Sequence, residues 1–404
     1  MFPTLNEQMD IFRSGAVDLL PEDELVKKIE KSVKTGKQMI VKLGCDPSRP
    51  DLHIGHAVVL SKMRALQDLG HKAVLIIGDF TAMIGDPTGK SKTRPQLTLE
   101  DTRVNGQTYL DQATQILTAD RLEVRYNSEW LSKMDFNDVI RLAANYTVAQ
   151  LLERDDFNKR FKSGTPISVH ELLYPLAQAM DSVAIESDIE LGGTDQKFNL
   201  LVGRDIQRAN NVEPQCILTM PILEGTDGKE KMSKSLDNYI AFTDVPREMF
   251  GKVMSIPDEL TVRYFRYASS ATEEEIKVMD EGLKNETVHP RNAKVQVAMR
   301  IVDKYHGAGA GQTAFEEFER MFVKKDVPDD IEELTIEGDA EQQLLNVIAS
   351  TKMVGSKKDG SRMIQQGAVS VDGEKVTDFK ATVDFSEQRL IKVGKRKFLK
   401  VKVG

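Results

Sequence analysis

The segment from Gln38 to Gly78 constrains the fold more than any other stretch. QMIVKLGC, ending at Cys45, reads as a buried strand that runs into a turn of structure-breaking residues, Asp46-Pro47-Ser48-Arg49-Pro50-Asp51. A helical pattern follows from about Ile54 to Leu69, with Val58, Val59, Met63 and Leu66 on one face and Gly70 in the place of a glycine cap. The apolar run AVLIIG, from Ala73 to Gly78, then suits a central parallel strand. Strand, helix and strand in this order form a βαβ unit, whose crossover is right-handed almost without exception. The alternation continues, with helical patterns over 99–117, 139–152, 170–184 and 196–209 and strand candidates at 122–126, 189–191 and 216–219. It predicts a doubly wound α/β domain whose ligands bind at the carboxyl ends of its strands.

Strand signals stop after about Asn238. The stretch from Pro246 to Phe322 is mostly helical, with a loop at His289-Pro290. Residues Asp326 to Glu341 include eight acidic side chains plus Pro328 and Gly338, and read as an exposed linker. From Gln342 onward a compact α+β unit is expected, with helices near 344–348 and 358–366 and strands near 369–371 and 390–393. Net charge follows this division. The whole chain carries −8, which argues against a nucleic-acid partner, yet the residues from Glu341 to the end carry +6 and the remainder −14. A small basic unit is joined to a large acidic one. Two cysteines, Cys45 and Cys216, are too few for a disulfide framework and have no metal-ligand spacing, which points to a reducing, cytoplasmic compartment. The longest apolar stretch is far shorter than a membrane span, and Met1-Phe2-Pro3-Thr4 lacks the layout of a signal peptide.

Four clusters carry candidate chemistry. His53-Ile54-Gly55-His56 opens the first crossover helix, where free backbone N–H groups favour anions; phosphate binding, a metal pair with His71 as a distant third ligand, and a plain polar cap all remain open there. Gly85-Asp86-Pro87-Thr88-Gly89-Lys90-Ser91 is one residue short of a P-loop, and Lys90, Lys92 and Arg94 make it basic around the single carboxylate of Asp86, a partner for a substrate ammonium. Tyr174, Gln178 and Asp181 stand at i, i+4 and i+7 on an apolar helix, either as a solvated face or as the lining of a polar pocket that Gly192 to Gln196 would border. Lys229 to Ser235 reads as a solvated charge run with little hydrophobic anchoring, or as an arm that brings two ammoniums onto a polyphosphate.

Together and in this order these motifs are specific. His53-Ile54-Gly55-His56 and Lys231-Met232-Ser233-Lys234-Ser235 are the paired signature of the class I aminoacyl-tRNA synthetases, and over its full length the chain resembles the bacterial tyrosyl-tRNA synthetases. The resemblance implies a Rossmann-like, HUP-type catalytic domain over 1–238 and a helical domain for the anticodon arm over 239–325. An acidic linker over 326–341 and an S-four type RNA-binding domain over 342–404 would follow. It implies tyrosine, ATP with Mg2+ and tRNA(Tyr) as substrates, and a homodimer with no membrane contact. His53 and His56 would then contact ATP and the pentavalent phosphate, and Lys90, Arg94, Lys231 and Lys234 the departing pyrophosphate. Asp86, Tyr174 and Gln178 would hold the ammonium, Asp181 the phenol, and Asp46, Gly55, Asp195 and Gln196 the adenylate or tyrosine. Lys357, Lys358 and Arg362 would face RNA. One position departs from the pattern: Lys42 stands where many bacterial relatives carry a tyrosine that also touches the phenol. A tryptophanyl-tRNA synthetase, a small adenylyltransferase and a non-catalytic RNA-binding paralogue are the rival readings. Asp181 beside Tyr174 and Gln178, the chain length with its basic tail, and the two intact signatures argue against them in turn.

Overall fold

The computed structural model describes residues 2–47, 51–87, 98–322, 331–351, 353–394 and 397–404. It divides into two units, Met1–Ala314 and Phe315–Gly404.

The first unit is built on a six-stranded sheet of β1 (Asp18–Leu20), β2 (Ile40–Cys45), β3 (Lys72–Ile77), β4 (Leu122–Tyr126), β5 (Ile189–Gly193) and β6 (Cys216–Met220), in the order β1-β6-β5-β2-β3-β4. All pairings are parallel except that of β1 with β6. β1 carries no hydrophobic pattern of its own; it is a three-residue edge held by register with Thr219, whose hydroxyl also accepts from the Asp18 N–H at 3.1 Å. Val41, Leu43, Val74 to Ile77, Ile189, Leu191, Ile217 and Leu218 are all buried, as strands covered by helices on both faces require. From β2 the chain winds outward through β3 and β4, then returns to lay β5 on the other side of β2. The crevice at that reversal, above Cys45 and Gly193, is where a ligand belongs.

Two helical expectations are revised. The pattern over 139–152 is two helices, Phe136–Ala143 and Val148–Leu151. Between them the Asn145 amide bonds the carbonyls of Arg141 and Leu142, and the Thr147 hydroxyl caps the second helix through Gln150 N–H at 3.2 Å. The helix beginning at Leu99 ends at Ala113. Helices Pro246–Met254, Thr261–Ala268, Glu273–Lys284 and Pro290–His306 belong to the same unit as the sheet. Among the described residues no helix is long and apolar enough to cross a membrane.

The second unit contains a five-stranded sheet, β10-β9-β12-β13-β7, and a two-stranded ladder, β11-β8. Its strands are β7 (Glu333–Ile336), β8 (Glu341–Gln343), β9 (Val369–Val371), β10 (Glu374–Val376), β11 (Thr382–Asp384), β12 (Arg389–Val393) and β13 (Lys397–Val403). Helices Leu344–Ser350 and Lys357–Gln365 pack on a core that includes Leu344, Ile348, Ile364, Val369, Phe385, Ile391 and Val401. β7 lies inside the segment read as an exposed linker and corrects that reading for these residues. It pairs parallel with β13, Leu334 and Ile336 pack against the core, and Glu333 meets Lys400 at 3.0 Å. The acidic composition of the segment hid a two-residue alternation in which Leu334 and Ile336 turn inward and Glu333 and Thr335 outward.

Candidate active site

Two of the open clusters meet at the start of helix Ile54–Asp68. His53 is its N-cap, and the His53 backbone N–H donates to His56 Nδ1 at 3.2 Å. The ring centres lie 3.9 Å apart with the planes inclined by 39°, and a Cβ on Gly55 would come within 2.9 Å of His53 Nδ1, so glycine makes room for this arrangement. Burial, reinforced by the charge of Lys234, brings the His56 pKa down to about 4, and burial and His56 carry His53 well below its ordinary value. Both imidazoles are therefore neutral at pH 7 and act through hydrogen bonds rather than charge. His53 Nδ1 is buried without a hydrogen-bond partner among the described residues, which costs about 1–3 kcal/mol and is the mark of a ligand position. His71 is no third ligand: its Nε2 lies 2.9 Å from Gln8 Oε1, beneath the N-terminal helix Leu5–Arg13. Among the described residues no group of three or more His, Cys, Asp or Glu could hold a metal ion.

The lysine loop is anchored, contrary to its expected solvation. Met232 is buried and its N–H donates to Leu223 O at 3.0 Å, while Asn238 accepts from Ser233 N–H at 2.8 Å and donates to Asp227 at 2.7 Å. Asn238 fits because Gly225 has no Cβ, which would stand 2.3 Å from the amide. This leaves Lys231 paired with Asp195 at 3.0 Å and Lys234 6.0 Å from the centre of the Tyr109 ring, close enough to the histidines to lower their pKa values.

The polar stripe of helix Val169–Ala184 faces inward. Tyr174 and Asp181 are buried, and the Tyr174 hydroxyl donates to Asp46 Oδ2 at 2.8 Å, whose other oxygen accepts from Thr81 Oγ1 at 2.7 Å. Gln178 donates to Glu190 at 3.2 Å and accepts from Asn199 at 3.1 Å. Asp86 meets Arg154 at 3.3 Å and accepts from Gln196 at 2.9 Å. Asp181 accepts from Trp130 Nε1 at 2.9 Å and from Asn127 Nδ2 at 3.4 Å, one donor on each oxygen. Burial pushes its pKa up to about 7, while the nearby charge of Lys42 and the Trp130 bond pull the other way. Lys42 itself does not reach for a phenol. It is buried in an ion pair with Glu190 at 2.8 Å.

The structure thus brings together Asp46, His53, Gly55 and His56 at the end of β2, Tyr174, Gln178 and Asp181 on one helix, Asp195 and Gln196 after β5, and Lys231 and Lys234 from the loop. Lys90 and Arg94 lie outside the described residues. Lys357, Lys358 and Arg362 are exposed on helix Lys357–Gln365 of the second unit. Sequence reasoning missed Thr81, Asn127, Trp130, Arg154, Glu190 and Asn199. Only Glu190 and Lys42 had a signal, each being a charge inside an otherwise apolar strand.

A family model described as tRNA synthetases class I (W and Y) matches residues 34–323, and one for the tyrosine–tRNA ligase SYY-like C-terminal domain matches residues 317–401. Curated relatives include the tyrosine–tRNA ligases of Salinibacter ruber, 53% identical over 405 residues, and Thermotoga maritima, 52% identical over 401 residues. Each alignment covers 99% of this chain and 98% of the relative. Among solved structures, the tyrosyl-tRNA synthetase of Archaeoglobus fulgidus complexed with L-tyrosine superposes with a TM-score of 0.64 at 21% identity, covering 77% of this chain and 99% of that one. At that identity the likeness concerns the fold.

Proposed function

The chain belongs to the tyrosine–tRNA ligases of the class I synthetases, and from that membership we propose how its residues divide the reaction. The enzyme activates L-tyrosine with ATP and transfers tyrosine to the 3′ end of tRNA(Tyr). The tyrosine carboxylate attacks the α-phosphorus, the bond to the β-phosphate oxygen breaks, and pyrophosphate leaves. A hydroxyl of the terminal adenosine then attacks the tyrosyl carbonyl and AMP departs. Neither step needs a side-chain nucleophile, so the protein contributes alignment and charge that act most strongly in the transition state.

The observation that carries this assignment is Asp181, a buried carboxylate with one donor per oxygen and therefore acceptor capacity left for a phenol. One or two turns away, Tyr174 and Gln178, with Asp86 opposite, hold the ammonium. Gln196 borders the tyrosine, and Asp46, Gly55 and Asp195 the adenylate. His53 and His56 donate N–H to the α-phosphate region, and Lys231 and Lys234, with Lys90 and Arg94, take the pyrophosphate. Mg2+ arrives on the nucleotide as part of the substrate. ATP–pyrophosphate exchange driven by each amino acid in turn tests the reading; stimulation by tyrosine alone is expected, and equal stimulation by tryptophan or none at all would overturn it.

The ionisation of Asp181 sets a pH dependence. An acceptor must be deprotonated, so kcat/KM for tyrosine falls as pH drops through about 7. The His56 imidazole, with its pKa at about 4, is already neutral in that window and contributes nothing to this limb. Lys42, Glu190, Asn127 and Trp130 are the groups that face the carboxylate. In Asp181→Asn the residual activity should lose the acid limb near 7; a limb that persists there would assign it to another group.

A homodimer agrees with the exposed apolar side chains of the segment from 136 to 169 in the first unit: Phe136 (80%), Ile140 (53%), Val148 (60%), Phe161 (66%) and Val169 (75%). Sedimentation at micromolar protein would then give twice the 45.3 kDa chain mass. A cytoplasmic location follows from the reading as a translation enzyme and agrees with both cysteines being free. The second unit supplies tRNA affinity through Lys357, Lys358 and Arg362. Ending the chain after Phe322 should leave tyrosine-dependent exchange within about twofold while tRNA charging falls by about tenfold or more, the difference shrinking as salt rises. Equal loss of both activities would contradict this division.

A further inference from the structure

Two buried opposite charges stand side by side in the sheet and take no part in the chemistry above. Lys42 on β2 and Glu190 on β5 are register partners on adjacent parallel strands, with side chains 0% and 1% exposed. The Lys42 ammonium places its three donors on Glu190 Oε1 at 2.8 Å, Ser182 Oγ at 2.8 Å and the Gln178 carbonyl at 3.2 Å. Glu190 Oε1 also accepts from Gln178 Nε2 at 3.2 Å, and Glu190 Oε2 from Ser182 Oγ at 3.2 Å and from Gln215 Nε2. Gln215 reaches that oxygen only because position 203 is glycine, where a Cβ would stand 2.5 Å from the amide nitrogen.

Stability alone does not account for such a pair, since apolar residues of similar volume often serve a core as well or better. What distinguishes it is what it holds. Apart from Gln215, every group bound to the pair belongs to one turn of helix, Gln178 to Ser182. That turn carries the amide assigned to the ammonium end of tyrosine and, at position 181, the carboxylate assigned to the phenol. Lys42 grips the turn at both ends, through the carbonyl of Gln178 and the hydroxyl next to Asp181, while Glu190 fixes the Gln178 side chain.

We propose that the buried Lys42–Glu190 pair is a positioning element of the tyrosine pocket, holding the Gln178–Ser182 turn so that Gln178 and Asp181 meet the two ends of the amino acid in register. Tyrosine affinity and selection then depend on two residues that do not touch the substrate. The inference rests on the reading that Gln178 and Asp181 bind tyrosine.

The test is ATP–pyrophosphate exchange with Lys42→Met and with the charge-neutral double variant Lys42→Met/Glu190→Gln, which keeps volume and leaves no unpaired ion in the core. In the double variant KM for tyrosine should rise about tenfold, with KM for ATP and kcat at saturating tyrosine within about twofold, and the preference for tyrosine over phenylalanine should fall. Lys42→Met alone should be worse, because Glu190 is left buried and unpaired. A double variant that melts at a lower temperature but keeps the wild-type tyrosine KM and preference would reduce the pair to a structural role and overturn the proposal. Asp181→Asn, measured alongside, separates the two failures. If it abolishes the preference while the double variant is normal, only the positioning role falls; if it leaves the preference intact, the pocket assignment itself is wrong. Should the double variant not fold, Ser182→Ala removes one Lys42 acceptor without touching a charge. A rise of about threefold in tyrosine KM would then support the proposal, and an unchanged KM would count against it.

Discussion

Lys234→Ala slows tyrosine-dependent ATP–pyrophosphate exchange by about 100- to 1,000-fold and leaves KM for tyrosine unchanged, the size expected when a preorganised stabiliser of transition-state charge is removed. The ammonium of Lys234 stands close enough to the histidine pair to lower both imidazole pKa values, and the anchoring of Met232 and Asn238 holds its backbone in place before any substrate arrives. With both imidazoles neutral, the positive charge at this end of the pocket comes from lysines. Negative charge grows on the leaving pyrophosphate only as the α-phosphate bond breaks, so an ammonium aimed there acts on kcat more than on ground-state binding. Lys231 is expected to matter less. Its side chain is 43% exposed and already paired with Asp195 at 3.0 Å, so it must exchange one anion for another. Single-turnover adenylate formation separates the cases. A Lys234→Ala enzyme with normal adenylate formation, or one whose tyrosine KM rises as much as its kcat falls, would remove the loop from the chemical step.

The parts of this fold that could be read from sequence are those where one physical requirement acts on consecutive residues. β2, β3, β5 and β6 are covered on both faces, so each is predominantly apolar, broken inside β2 and β5 only by Lys42 and Glu190; helix Val169–Ala184 shows its periodicity because its apolar surround is continuous. Where two requirements overlap, the signal fails. β7 turns Leu334 and Ile336 toward the core and Glu333 and Thr335 outward, and composition registered only the acidic residues in and around it. The break at Asn145 to Thr147 is made by side-chain bonds to the backbone, which leave the apolar spacing across it intact. The site divides in the same way. Residues assigned to the substrates lie in short motifs at strand ends and on one helix face, so their spacing exposed them. Those that hold them in place, Trp130 and Asn127 on Asp181 or Arg154 and Asn199 around Asp86 and Gln178, come from elements tens of residues away and share no local pattern with their partners. Lys42 and Glu190 are the informative exception. A lone charge in the middle of a buried strand needs an opposite charge on a neighbour, and two such strands were visible.

Replacing Asp181 produces the second large effect, and it concerns selection rather than rate. In the wild-type pocket phenylalanine would bury the Asp181 carboxylate against an aromatic edge with nothing to replace the phenol donor, while Trp130 and Asn127 keep the carboxylate from turning toward water. Leaving a buried carboxylate one donor short costs more than the hydrogen bond that tyrosine makes contributes. In Asp181→Ala that penalty vanishes. kcat/KM for tyrosine should fall, kcat/KM for phenylalanine should stay within a few-fold or rise, and the ratio should collapse by about 100-fold or more, with KM for ATP unchanged. Trp130→Phe supplies the graded control: it removes one donor to the carboxylate but not the carboxylate, so burial raises the Asp181 pKa further and tyrosine selection weakens at neutral pH yet recovers as pH rises. Exchange assays with both amino acids across pH 6 to 9 read each variant. If Asp181→Ala lost activity toward tyrosine and phenylalanine in equal proportion, the carboxylate would be holding the shape of the pocket and another group would be recognising the phenol.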